Sequence, residues 1–203
     1  NQPQSLISDL ANGVEPADQE KEAFGGSIGG SIIQDKLFYF ASYDEQTKSE
    51  TVPIDSRVLD AAVFARYPQL ASDPTYISSQ DGDVLFARLD FQATPQHRFM
   101  LRTNFTNYTG ENGTSTATTR ADSYNGIEGL DSEAWVASYS GQWGANILND
   151  LNVNYITEDT PRLDKGLGLP EIQLGVHRYG EVSFLPIVTT TTKKGIADTV
   201  TYL

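Results

Sequence analysis

Hydrophobic and polar positions alternate most cleanly between residues 85 and 106. Leu85, Ala87, Leu89, Phe91 and Ala93 fall on one parity, and Phe86, Arg88, Asp90 and Gln92 on the other. Period-two alternation is the signature of a strand with one apolar face. Thr94-Pro95-Gln96-His97 reads as a tight turn. Beyond it Phe99, Leu101, Thr103 and Phe105 alternate with Met100, Arg102, Asn104 and Thr106, which predicts the returning strand of a hairpin.

A second hairpin repeats the pattern. Trp135, Ala137, Tyr139, Gly141 and Trp143 alternate with Val136, Ser138, Ser140 and Gln142. A turn expected over 144–149 leads to Leu151, Val153 and Tyr155, interleaved with Asn152, Asn154 and Ile156. An earlier hairpin is predicted from Phe24–Ile33 and Leu37–Tyr43 around the turn Gln34-Asp35-Lys36. Its first strand carries Gly25, Gly26, Gly29 and Gly30, which predicts a bend or a close backbone approach. A last strand, Gly195–Leu203, has no partner that the pattern identifies.

Between the hairpins the text is polar. Residues 1–21 read as a linker or loop, and residues 22–203 as one β-unit. Long connections are expected over 48–83, 110–131 and 158–192, against short turns at Asp35, Pro95 and Ala145. Within the first connection Asp55-Ser56 predicts the cap of a short helix from Arg57 to Tyr67, stopped by Pro68, with Val58, Ala62 and Ala65 on one face. Gln80-Asp81-Gly82-Asp83 reads as a turn before a strand. The alternation of short turns with long loops is the rhythm of transmembrane β-barrels, whose long loops share one side.

Trp135 and Trp143 have the same parity. At ~3.3 Å per residue and ~45° of tilt they lie roughly 19 Å apart along a membrane normal, near the two rims of a band of about 25 Å flanked by aromatic girdles. Two tryptophans of a soluble core would show the same spacing. Composition sharpens the choice. The 203 residues are 38% hydrophobic, low for one large dry core, with a net charge of -13 and no cysteine. Disulfides and thiolate chemistry are excluded, and an acidic chain argues against nucleic acid as a partner. No run of about 18 apolar residues occurs, so no transmembrane helix is predicted. The start lacks a signal-peptide pattern and the end reads as strand, which leads us to expect a piece of a longer protein.

The stretch Phe24–Tyr43, F-G-G-S-I-G-G-x-I-I-x-D-K-L-F-Y-F-A-S-Y, resembles the barrel entry of TonB-dependent outer-membrane receptors. The resemblance is nearest to the Oar-like branch, whose members carry a carboxypeptidase-regulatory-like domain before the plug. That group usually reads G-G-P-I, and this chain departs from it at Ser31. Leu85-Phe86-Ala87-Arg88-Leu89-Asp90 with Thr94-Pro95-Gln96-His97-Arg98 is similar to the family's second hairpin. Leu169-Pro170-Glu171-Ile172, Leu185-Pro186 and Thr189–Thr192 are similar to the approach to a later barrel strand. The TonB box, the plug and the terminal aromatic strand of the family are not among these residues.

The resemblance implies an all-β fold of antiparallel up-and-down strands, a partial transmembrane β-barrel that belongs to a larger plugged barrel in the bacterial outer membrane. It implies uptake or passage of a large substrate, with outer-membrane lipid, the plug, the remaining barrel strands and TonB as partners, and no nucleic acid. Arg88, Asp90, Arg102 and Asn104 are the candidate lumen-facing residues. Leu85, Leu89, Leu101 and the aromatic residues Phe91, Phe99, Phe105, Trp135, Tyr139 and Trp143 are the candidate lipid-facing and girdle residues. A porin-like or structural barrel and a soluble carbohydrate-binding β-sandwich are the alternatives.

No catalytic or metal constellation is expected. His97 sits in a turn and His177 in a loop, neither at ligand spacing from another histidine. Gln80–Asp83 lacks the terminal glutamate of a calcium loop. No helix follows the glycine cluster, so it is not a phosphate loop. The sequons at Asn104, Asn107 and Asn112 fit the Asn/Thr bias of barrel strands and loops. No cofactor is called for, and no enzyme activity is expected.

Overall fold

A computed structural model describes residues 18–114 and 117–203; the expected linker over 1–17 lies outside the described residues. The chain is all-β. Seven strands form one antiparallel up-and-down sheet in the order β1-β2-β3-β4-β5-β6-β9. They are β1 (Gln19–Ile33), β2 (Leu37–Pro53), β3 (Thr75–Thr94), β4 (His97–Glu111), β5 (Gly126–Trp143), β6 (Ile147–Asp164) and β9 (Ile187–Tyr202). A small ribbon of β7 (Ile172–Leu174) and β8 (His177–Tyr179) stands apart. The sheet is open, with β1 and β9 at its edges.

The three short turns form where predicted. Lys36 N donates to Ile33 O (3.1 Å), and Asp35 takes the left-handed conformation (φ 60°) that an Asx residue tolerates in such a turn. Pro95 sits just after β3, and Gly144 (φ 66°) opens the third turn, which ends at residue 146 rather than 149. In β1 the glycines give the close approach, and the register shifts just beyond them, between Ser31 and Ile33. A Cβ at Gly29 would sit 3.1 Å from Phe40 Cδ2, and one at Gly30 3.6 Å from Tyr39 Cε1. The β2 aromatic rings occupy the space that a side chain at either glycine would take, on opposite faces of the ribbon.

Several sequence expectations need correction. The strands run 15 to 20 residues and reach well into the expected loops, so the true connections are 54–74, 112–125 and 165–186. Residues such as Asp44–Glu50 are polar on both faces and look like loop, yet ladder hydrogen bonds hold them as strand although none of them is fully buried. Gln80–Asp83 lies inside β3, paired with Lys48 back to Glu45 on one side and with Gly110 back to Asn107 on the other, and is not a turn. β1 begins at Gln19, within the stretch read as linker. β9 does have a partner: it pairs with β6 from Arg162↔Ile187 to Ile147↔Tyr202.

The helix is α1 (Ala61–Arg66), four residues later than expected. Asp60 caps it, its Oδ1 accepting from Ala62 N (2.8 Å) and Val63 N (3.4 Å). Asp55 instead closes a turn, accepting from Arg57 N at 2.9 Å. Val63, not Ala62 or Ala65, is the buried position of the helix.

The dry core lies in the loops. Val52, Ile54, Val58, Val63, Leu70, Tyr76, Ala121 and Tyr179 pack together at the end of the sheet away from the short turns. All three long connections contribute. Asp55 N donates to Thr118 O (2.9 Å), Ala121 N to Arg178 O (3.0 Å) and Gly180 N to Ser123 Oγ (3.1 Å), stitching the loops into a single cap.

Candidate functional site: the two faces of the sheet and the loop cap

The cross-strand register sorts every strand residue onto a face. Tyr39, Leu89, Leu101, Ala137, Val153 and Ile196 are successive partners across six strands, so they form one row on one face. The row nearer the turns reads Leu37, Phe91, Phe99, Tyr139, Leu151 and Asp198. The row nearer the cap includes Ala41, Ala87, Thr103, Trp135 and Tyr155. This face is apolar across the sheet and lies open: Leu89 is 41% exposed, Phe99 44% and Leu101 43%.

Aromatic residues bound this apolar face at both ends. Near the turns Phe91 stacks on Phe99 (6.3 Å between centroids), Phe99 meets Tyr139 (5.0 Å), and His97 meets Trp143 edge-on (5.0 Å). His97 Nδ1 and Tyr139 Oη are 2.8 Å apart. Gly141 makes this possible, since a Cβ there would lie 2.7 Å from His97 Nδ1 and collide with the tyrosine hydroxyl. Toward the cap Phe105 meets Trp135 edge-on (5.8 Å), and the Trp135 indole N–H donates to Glu133.

Beyond that second aromatic row the same face turns acidic. Glu45, Asp83, Asn107, Asp131 and Asp159 are successive cross-strand partners. None of these four carboxylates has an ion-pair partner among the described residues. Two charges of β9 interrupt the apolar zone itself: Asp198, in the row nearest the turns, whose Oδ1 accepts from Asn149 Nδ2 at 2.5 Å, and Lys194, opposite Tyr155 in the row nearer the cap, whose ammonium lies 5.6 Å from the Tyr155 ring centroid.

The opposite face is polar. It carries Arg88, Asp90, Arg102 and Asn104, the four residues grouped together from sequence, since Arg88 pairs with Arg102 and Phe86 with Asn104 across β3 and β4. Asp90 accepts from Arg88 Nε at 2.6 Å and from Arg98 Nη2 at 2.8 Å. Arg102 stands directly opposite Arg88 and makes no ion pair among the described residues, so this patch holds three guanidiniums around one carboxylate. Asn104 Nδ2 donates to Thr106 Oγ1 at 3.0 Å. Ser138 and Asn152, and Ser140 and Asp150, are hydrogen-bonded across β5 and β6 at 2.6 Å each. Its apolar members include Phe38, Phe40, Phe86, Met100, Val136 and Ile156, and Phe40 and Phe86 are in ring contact at 6.0 Å.

Closer to the cap, the polar face sinks into a cavity of about 530 Å³ floored by Gly82 and bordered by Gln46, Lys48, Gln80, Thr106 and Tyr108. Sequence reading passed over this site because Lys48, Gln80 and Gly82 fell in a stretch taken as loop. The signal was present as Gly82 and Gly110 on either side of Tyr108 in the final register.

In the cap, Glu171 binds Arg178, accepts from Tyr124 Oη (3.2 Å), and has its carboxyl held below the usual range first by the Ser183 hydroxyl and then by Arg178 and Tyr124. Arg57, which grips the Asp55 carboxylate at 2.5 Å, likewise depresses it well below the ordinary value. Burial pushes the Tyr179 phenol up. No group of three or more potential metal ligands occurs among the described residues, so neither histidine belongs to one.

Comparison with known proteins adds no relative: no family model, curated protein or solved structure matches the chain.

Proposed function

We propose that this chain is barrel wall of a TonB-dependent outer-membrane transporter, with the apolar face against lipid and the polar face toward the lumen. The observation that carries this reading is the segregation of the faces. Seven strands pair in one antiparallel sheet, one face is apolar between two aromatic rows, and no layer of the described residues covers it, while the dry core sits in the loop cap. A soluble sandwich places its core between two sheets. Here the apolar zone has only one sheet.

The charges agree with a bilayer. Trp135 and Trp143 mark rims roughly 19 Å apart along the normal at ~45° of tilt, inside the band of about 25 Å typical of such barrels. The acidic row at Glu45, Asp83, Asp131 and Asp159 lies beyond the cap-side rim, where hydrocarbon ends. Large transporters close about 22 strands around a plugged lumen, so seven strands are roughly a third of the wall. The capped long loops then face the cell exterior and the turns at Asp35, Pro95 and Ala145 face the periplasm.

Topology on intact cells tests this. Single cysteines in the cap, at Ser72 or Gln173, should react with a membrane-impermeant maleimide. One placed in the Pro95 turn should stay unlabelled until the outer membrane is permeabilised. Labelling of the Pro95 site on intact cells would refute the orientation.

A further inference from the structure

The polar-face cavity has features that the wall of a water-filled channel does not require. Tyr108 lies flat along the sheet in a trough made by two glycines. A Cβ at Gly110 would sit 2.6 Å from the Tyr108 hydroxyl, and one at Gly82 would sit 3.6 Å from Tyr108 Cδ2. Gly110 is buried under the phenol, and Gly82 leaves the space beside the ring empty. The ring therefore lines the cavity as a platform and does not stand out from the sheet. Ala23, Val84 and Leu130 give the cavity apolar walls.

Its polar groups are suited to an uncharged ligand. The charges at its border are of both signs: Lys48 is paired with Glu50 at 2.7 Å, Asp44 accepts from Gln46 Nε2 at 3.2 Å, and Lys21 makes no ion pair among the described residues. Thr106 Oγ1 already accepts from Asn104, which leaves its hydroxyl proton free to donate into the cavity. The Gln46 and Gln80 amides offer both donors and acceptors. The volume of about 530 Å³ falls in the range of small-ligand sites.

We infer that this cavity binds a neutral sugar ring, stacked on the Tyr108 phenol and hydrogen-bonded by Gln46, Gln80 and Thr106. A pyranose has the matching chemistry, with an apolar C–H face for the aromatic ring and a rim of hydroxyls that both donate and accept. An anion would meet Asp44, and a cation would meet Lys21 and Lys48. The inference deepens the transporter reading by naming the substrate class, and rests on it for the assignment of this face to the substrate path.

The test uses full-length protein in detergent and saturation-transfer NMR with maltohexaose, cellohexaose, mannohexaose and chitohexaose, alongside a polar hexapeptide and inorganic phosphate. At least one oligosaccharide should bind. Tyr108→Ala should weaken it at least tenfold, Tyr108→Phe less than threefold, and Gly82→Leu should abolish it by filling the trough. Binding of the peptide or phosphate in place of every sugar, binding of none of the sugars, or sugar binding untouched by Tyr108→Ala would overturn the inference. Outer-membrane fractionation of the same protein separates the two claims. A membrane-embedded protein that binds no sugar refutes only the inference, and a soluble protein that binds sugar at Tyr108 refutes only the transporter reading.

Discussion

Two substitutions on the apolar face, taken together, distinguish lipid from a protein core and from water. Leu89 sits in the middle row, between the aromatic rows. Ala137 lies in the same row, exposed between Leu101 and Val153. An arginine on the lipid face at mid-depth costs about 2–4 kcal/mol, so Leu89→Arg should lower the folding equilibrium roughly 30- to 1,000-fold. Ala137→Leu adds apolar volume toward lipid chains, which move aside. It should be neutral or stabilising by up to about 2 kcal/mol, whereas overpacking a protein core costs about 1–3 kcal/mol. Ser138→Arg is the control, on the polar face at similar depth; losing its hydrogen bond to Asn152 should cost about 1 kcal/mol. The assay is urea-dependent folding of the full-length protein into phospholipid vesicles, followed by tryptophan fluorescence. Costs for both Leu89→Arg and Ala137→Leu would mean a packed protein partner. No cost for Leu89→Arg beyond that of Ser138→Arg would mean water.

Residues 1–203 expressed alone should aggregate in detergent-free buffer, because the sheet has two open edges and a bare apolar face; a sharp monomer peak on size exclusion with a cooperative melt would contradict this. Leu70→Ala, in the cap core, should cost about 2–5 kcal/mol locally and raise amide exchange in the cap while leaving β3–β6 protected; uniform loss of protection would show that cap and sheet unfold together. The depressed Glu171 carboxyl contributes stability that is present above its unfolded pKa and lost as pH falls through its lower folded value. Limited proteolysis of the cap should therefore accelerate only on acidification below the ordinary carboxylate range, and Glu171→Gln should remove part of that dependence. A cap whose cleavage rate is flat between neutral pH and pH 3 would exclude this contribution.

The faces and turns could be read from the chain because both are local. Leu85–Phe91 and Phe99–Phe105 alternate, and Asp35, Pro95 and Gly144 are turn residues for steric reasons. The strand lengths could not be read. Asp44–Glu50 and Thr106–Glu111 are polar on both sides and are held by ladder bonds to partners far along the chain. The partner of β9 was hidden for the same reason, since Ile187–Lys193 is mostly threonine and finds β6 only through pairing across the third loop. The cap core was scattered among residues 52–76, 121 and 179, and no single window shows it. Asp60 outcompetes Asp55 as helix cap because Asp55 is engaged by Arg57. The cavity at Tyr108 depends on a register that brings Gly82 beside the ring, so its glycines gained meaning only once β3 and β4 were aligned.

The central claim, that the apolar face meets lipid and the polar face meets water, is tested most directly by nitroxide scanning of residues 84–91 in the full-length protein in bilayers. The account predicts a two-residue period. Labels at Leu85, Ala87, Leu89 and Phe91 should be relaxed by oxygen dissolved in the bilayer, and those at Phe86, Arg88 and Asp90 by a water-soluble nickel chelate. The reverse phase, or equal access of the chelate to both sets, would contradict it.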